Sequence, residues 1–219
     1  MRGYLIDLFN LFRKHYAENV KFYSFLALQI FAVPLLLATL SRSAVNAVTV
    51  SMALASISVL LAVHFSVKGL RSRYTFAIEN TLPVSTGVRY GFILINSTIV
   101  VLLGFAVLYL PSLWLSCKLF PIDESFEWVL DNVLLFNFQA LVNILSIHAL
   151  ILVVNILVRK RPLVGYACAA LFMLAVSHFV RTNVAVESRD AAMMIVNFVI
   201  IASSWIGSYF LLRKFQYKG

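Results

Sequence analysis

The sequence predicts an all-α polytopic membrane protein: six transmembrane helices, an N-terminal interfacial amphipathic helix, and a short cytoplasmic helix between the second and third spans. Three observations predict it. Of 219 residues, 62% are hydrophobic and only 12% are charged, whereas a soluble domain is about one quarter charged. The apolar residues gather into six runs, each near the ~20 residues that cross a bilayer. The cations collect in alternate connections, which is the pattern that orients membrane proteins. A net charge of +9 would suggest nucleic acid in a soluble chain. Here the cations flank apolar runs, so anionic headgroups and topology account for them, and no nucleic-acid partner is expected.

Residues 1–21 form the first unit. They do not resemble a signal peptide, because the long apolar run begins only near Phe22. Leu5, Leu8, Phe9, Phe12, Tyr16 and Val20 recur at helical spacing, with Asp7, Asn10, Lys14, Glu18 and Lys21 opposite. Such a helix is expected to lie along the inner membrane surface.

Residues 22–219 form the transmembrane domain, with spans expected at Phe22–Leu40, Val48–Val67, Tyr90–Leu110, Asn132–Val158, Leu163–Val180 and Ala191–Leu212. The first span contains Pro34, a candidate kink. The second carries a stripe of small residues, Ser51, Ala55, Ser58, Ala62 and Ser66, which favours close helix packing. On the fourth, Gln139, Asn143 and Ser146 share one face while Asn137, His148 and Asn155 lie nearly opposite. A helix polar on two sides should be surrounded by protein or line a cavity. Gly165 and Ala169 make a small-xxx-small pair on the fifth, and Asn197, Ser204 and Ser208 share a face of the sixth.

With both termini inside, fourteen cations are cytoplasmic: Arg2, Arg13, Lys14, Lys21, Lys68, Arg71, Arg73, Arg89, Arg159, Lys160, Arg161, Arg213, Lys214 and Lys218. Arg42, Lys118, Arg181 and Arg189 remain outside, together with six acids. The outer loop, 111–131, is the one sizeable external feature, and its Asp123 and Glu124 are placed to open a short interfacial helix.

The sequence has no phosphate-cradling Gly-rich loop with Lys, no His-Glu-x-x-His and no Gly-x-Ser-x-Gly. No acid falls in the middle of a span, where an ion-driven carrier would place one. The four histidines are scattered, and only His148 lies well inside a span. Cys117 and Cys168 lack metal-ligand spacing and read as small apolar side chains. No metal, cofactor or catalytic residue is expected.

The longest polar interruption runs from Lys68 to Arg89. Residues 70–81 can form a short helix, which Leu82-Pro83 would stop, because a residue before proline avoids the helical region. With the six-span layout and the interfacial first helix, the segment Arg73…Glu79-Asn80-Thr81-Leu82-Pro83-Val84-Ser85 resembles the ABC-2-type (type V) permeases, the membrane subunits of ATP-binding-cassette exporters of the bacterial cytoplasmic membrane. Family members often carry Gly-Lys just after this segment, where this chain has Arg89-Tyr90-Gly91. The resemblance implies that 68–89 is a coupling segment pressing on a separate ABC ATPase subunit, which would hold ATP and magnesium. Arg71, Arg73, Glu79, Leu82 and Pro83 would make that contact. It also implies pairing with a second permease copy or a related permease. Spans two and five would face the route, which puts Ser51, Ser58 and Cys168 near it, with Asn143 a further pathway residue. Two other functions fit the composition. One is a membrane binding, immunity or regulatory protein that does not pump, and the other is an intramembrane enzyme using His148 with Asn143 or Gln139.

Overall fold

A computed structural model of the protein describes residues 2–68, 84–120, 122–132, 138–158 and 161–216. The proposed coupling residues Arg71, Arg73, Glu79, Leu82 and Pro83 lie outside the described residues, as does the expected helix over 70–81.

Among the described residues the chain is helical and has no strand. Helix α1 is Arg2–Glu18, α2 is Val20–Ser41 and α3 is Val45–Ser66. The third span is one continuous helix of 34 residues, Thr86–Leu119, made of α4 (Thr86–Ile95), a π turn (Asn96–Val100) and α5 (Val101–Leu119). A short α6 (Phe126–Asn132) precedes α7 (Phe138–Leu157), α8 (Pro162–Asn183) and α9 (Arg189–Gln216). Six of these helical stretches are long and apolar enough to cross a membrane.

Helices α3 and α7 sit at the centre. Helix α3 packs against α2, α5 and α7, and α7 packs against α3, α8 and α9. Of the six stretches α7 is the most enclosed and α8 the least, as expected for a helix polar on two faces: Ser146, His148 and Asn155 are all buried. The small stripe of α3 is buried at Ser51, Ala55, Ser58 and Ala62. Gly165 brings α8 against α7 so closely that an added Cβ would overlap Val154 Cγ1.

Three expectations need correction. The outer loop is shorter than 111–131, because α5 continues through Pro111 to Leu119. Pro111 lies on an exposed face of that helix, which runs on past it without a break. Helix α2 likewise continues through Pro34, and its Phe31 carbonyl accepts from Ser112 Oγ of α5 at 2.6 Å. The second correction concerns α1. Leu5, Phe9 and Val20 of the expected apolar face are exposed, while Leu8, Leu11, Phe12, His15 and Tyr16 turn toward the bundle.

The third is Glu124, which caps another helix instead of opening its own. Ser43 Oγ donates to its Oε1 at 2.6 Å and the Ala44 N–H to its Oε2 at 2.7 Å, at the positive end of α3. The following α6 is capped by Ser125, whose Oγ accepts from the Trp128 N–H at 3.2 Å. Burial alone would raise the Glu124 pKa, but these hydrogen bonds outweigh it and hold the carboxyl below its usual value of 4.5. A carboxyl depressed in the folded state contributes stability that is present above its unfolded pKa and lost as pH falls through the folded one. Glu124→Gln should therefore flatten the pH dependence of the thermal midpoint below about pH 4.5, measured in detergent from pH 7 downward. A Gln variant with an unaltered acid limb would show that the cap carries none of that dependence.

Candidate functional site

The most concentrated polar structure lies around the π turn. Asn96, Ser97 and Thr98 are consecutive polar residues in the apolar third span, and all three are buried. Ser97 Oγ and Thr98 Oγ1 donate back to the carbonyls of Ile93 and Leu94, one turn earlier. Widened turns of this kind recur at functional sites.

Asn96 joins three helices. Its Oδ1 accepts from the Tyr16 hydroxyl of α1 at 2.7 Å. Its Nδ2 donates to the Tyr23 hydroxyl of α2 at 2.9 Å and to Ser66 Oγ of α3 at 2.8 Å. The network continues from Tyr23 to His15 Nε2 at 2.8 Å. Phe92 packs edge-on against Phe12 and His15, closing an aromatic seat for α1. Burial pushes His15 down to about 4, so at neutral pH its ring is uncharged and serves as a hydrogen-bonding group. Burial first, and the neighbouring Tyr23 second, push Tyr16 up to about 12, so its hydroxyl keeps the proton it donates to Asn96.

Ser97, the next residue, faces the other side. His148 of α7 is fully buried, with its Nε2 2.7 Å from Ser97 Oγ. Its Nδ1 accepts from the Trp205 indole N–H of α9 at 3.2 Å. An indole nitrogen only donates, so the His148 proton sits on Nε2 and points to Ser97. Close by, the Tyr90 hydroxyl of α4 donates to the Trp205 carbonyl at 2.6 Å and lies 2.9 Å from Ser208 Oγ. A third link joins α3 to α8 and α7: His64 Nδ1 lies 2.6 Å from the Tyr166 hydroxyl, which donates to Asn155 Oδ1 at 3.0 Å.

These links show which helix ends share a side. The end of α3 meets the start of α8 through His64 and Tyr166, and Tyr4 of α1 reaches the Gly87 carbonyl at the start of α4. The connections at 67–85 and 158–161 therefore leave the same end of the bundle. Glu124 and Ser43 mark the opposite end.

The pathway residues expected from the sequence do not share one surface. Ser51 and Ser58 are buried inside the bundle and donate to Val48 and Leu54 carbonyls of their own helix. Cys168 is exposed on α8. Asn143 accepts from Asn197 Nδ2 at 2.6 Å, which joins α7 to α9. His148 is thus tied to Ser97 and Trp205, and not to Asn143. Among the described residues, no three His, Cys, Asp or Glu side chains gather into a possible metal site.

Asn96, Ser97 and Tyr23 are not among the residues expected from the sequence. The signal for the first two was available, since three adjacent polar residues interrupt a long apolar run. Tyr23 had none, because a tyrosine near a span end reads as an interfacial anchor. Comparison with protein-family models, with curated proteins and with solved structures finds no match for this chain.

Proposed function

We propose that this chain is the permease subunit of an ABC-2-type exporter in the bacterial cytoplasmic membrane, energised by a separate ATPase and moving a hydrophobic or amphipathic substrate outward. The observation that carries the reading is the geometry of one end of the bundle. The 67–85 connection leaves α3 and enters α4 beside α1 and the 158–161 connection, all rich in cations. Val84 and Ser85 are non-helical, and Ser85 Oγ then accepts from the Val88 N–H at 3.3 Å to start α4. The Leu-Pro-Val-Ser segment thus feeds a capped, rigid helix, which suits a contact that must transmit force.

On this reading the cation-rich end and both termini face the cytoplasm, α1 lies at the inner surface, and the 68–89 segment meets the ATPase. Six spans supply half a pathway, so a second permease completes it. The well-exposed α8 is the helix left free to face a partner. ATP and magnesium belong to the ATPase, and this chain contributes no catalytic residue.

Extraction of the native complex in mild detergent tests the proposal. An ABC ATPase should copurify at one per permease, and Leu82→Asp should release it without preventing membrane insertion. Absence of any ATPase, under conditions that keep other membrane complexes whole, would overturn the exporter reading in favour of a binding or immunity protein that does not pump.

A further inference from the structure

The third span changes partners at the π turn. Before it, α4 packs on α1 and α9, and Phe92 and Ile93 share a core with Val63, Leu152 and Leu212. After it, α5 packs on α2 and α3, and Phe105 and Tyr109 share a second core with Leu26 and Val59. The turn lies where the two cores meet. Its first two residues are each committed to one side: Asn96 holds α1, α2 and α3, and Ser97 holds α7 and, through His148, α9.

A π turn holds one residue more than the α turn it replaces. Shedding that residue would move α4 against α5 by about 1.5 Å along the axis and about 100° around it. Asn96 and Ser97 could not both keep their partners through such a step. Packed interfaces of this kind tend to hold discrete arrangements and do not deform continuously. The network is not a proton path, because the Asn96 amide passes no proton and the Trp205 indole only donates. What it can transmit is position.

We propose that the π turn Asn96–Val100 is a register switch that couples the seat of α1 to the packing of the α7–α9 pair. The switch stands on these contacts and does not depend on the exporter reading. Loosening α1 releases Asn96, lets the turn shift its register, and withdraws Ser97 from His148. By the reciprocity of linked equilibria, a change at His148 loosens α1 in return.

The test uses the full chain in lipid nanodiscs, with Trp114→Phe and Trp128→Phe leaving Trp205 as the sole tryptophan of three. Tyr16→Phe removes the hydroxyl that donates to Asn96 and touches neither α7 nor α9. It should shift Trp205 emission and speed amide exchange around 145–150 and 201–208 about threefold. His148→Gln should do the same to exchange at 8–18. In a Ser97→Ala background, a near-isosteric change, Tyr16→Phe should no longer reach Trp205. Exchange changes confined to α1 and α4, with unaltered Trp205 emission, would overturn the proposal. So would a Tyr16→Phe effect on Trp205 that survives in the Ser97→Ala background, since the route would then bypass the π turn.

Discussion

Asn96→Leu is expected to be among the most damaging single substitutions in this protein, lowering the free energy of unfolding by about 2 kcal/mol at three lost hydrogen bonds of about 0.6 kcal/mol each. The leucine fills the space but satisfies nothing. Tyr16, Tyr23 and Ser66 each lose the partner that Asn96 supplies. Tyr23 keeps its contact with His15, but the Tyr16 hydroxyl left unpaired in an apolar setting makes that figure a lower bound. The damage should concentrate on α1, whose other ties are the 2.8 Å contact of His15 with Tyr23, ring contacts such as Phe12 on Phe92 and a long 3.4 Å contact from Tyr4 to the Gly87 carbonyl. An unfolding titration in mixed micelles gives the free energy, and limited proteolysis of residues 2–18 reports release of the helix. A variant with the wild-type midpoint and a protected α1 would show that the three bonds contribute little.

Gly165→Ala should be nearly as costly, at about 1–3 kcal/mol, the usual range for one methyl group too many in a packed interior. A Cβ at this position overlaps Val154 Cγ1, while Val158 Cβ at 3.7 Å stays in ordinary contact. Val154 does not yield easily, because β-branched side chains in helices are nearly confined to one rotamer. The α7–α8 contact must open instead, which also strains the bond from Tyr166 of α8 to Asn155 of α7. The diagnostic result is rescue. Val154→Ala should restore most of the loss in the double variant, although alone it leaves a small cavity and destabilises. A double variant no more stable than Gly165→Ala would mean that the clash is not what the alanine introduces. Gly104, with no atom within 4 Å of an added Cβ, provides the control, and Gly104→Ala should be neutral or stabilising.

The packing role of Gly165 and Ala169 was legible from their four-residue spacing, and so was the burial of the Ser51–Ala62 stripe. The enclosed position of α7 followed from having polar residues on two faces. Less was legible where a signal depends on a distant partner. Glu124 reads as a local helix opener because acids favour the N-terminus of the helix that follows. The helix it caps is α3, whose N-cap Ala44 lies 80 residues earlier in the chain. Pro111 reads as the end of a span, yet the helix carries it on an exposed face and continues to Leu119. The apolar face of α1 covers about half of the helix, so periodicity alone could not say which part of it docks. The aromatic seat formed by Phe92 decides it, and that residue lies in another helix.

What the sequence determined by itself is the set of six apolar runs, their approximate ends, and the alternation of basic and acidic connections. Those follow from transfer free energies, which accumulate locally along a segment and need no knowledge of its neighbours. Only the tertiary structure decided which polar residues meet. A hydrogen bond depends on the angular phase of two helices to within a fraction of a turn. In the third span that phase is reset by a π turn that no hydropathy window detects. Asn96 and Ser97 are simply two adjacent polar residues in the sequence. Their commitment to opposite sides of the bundle exists only once the surrounding helices have packed.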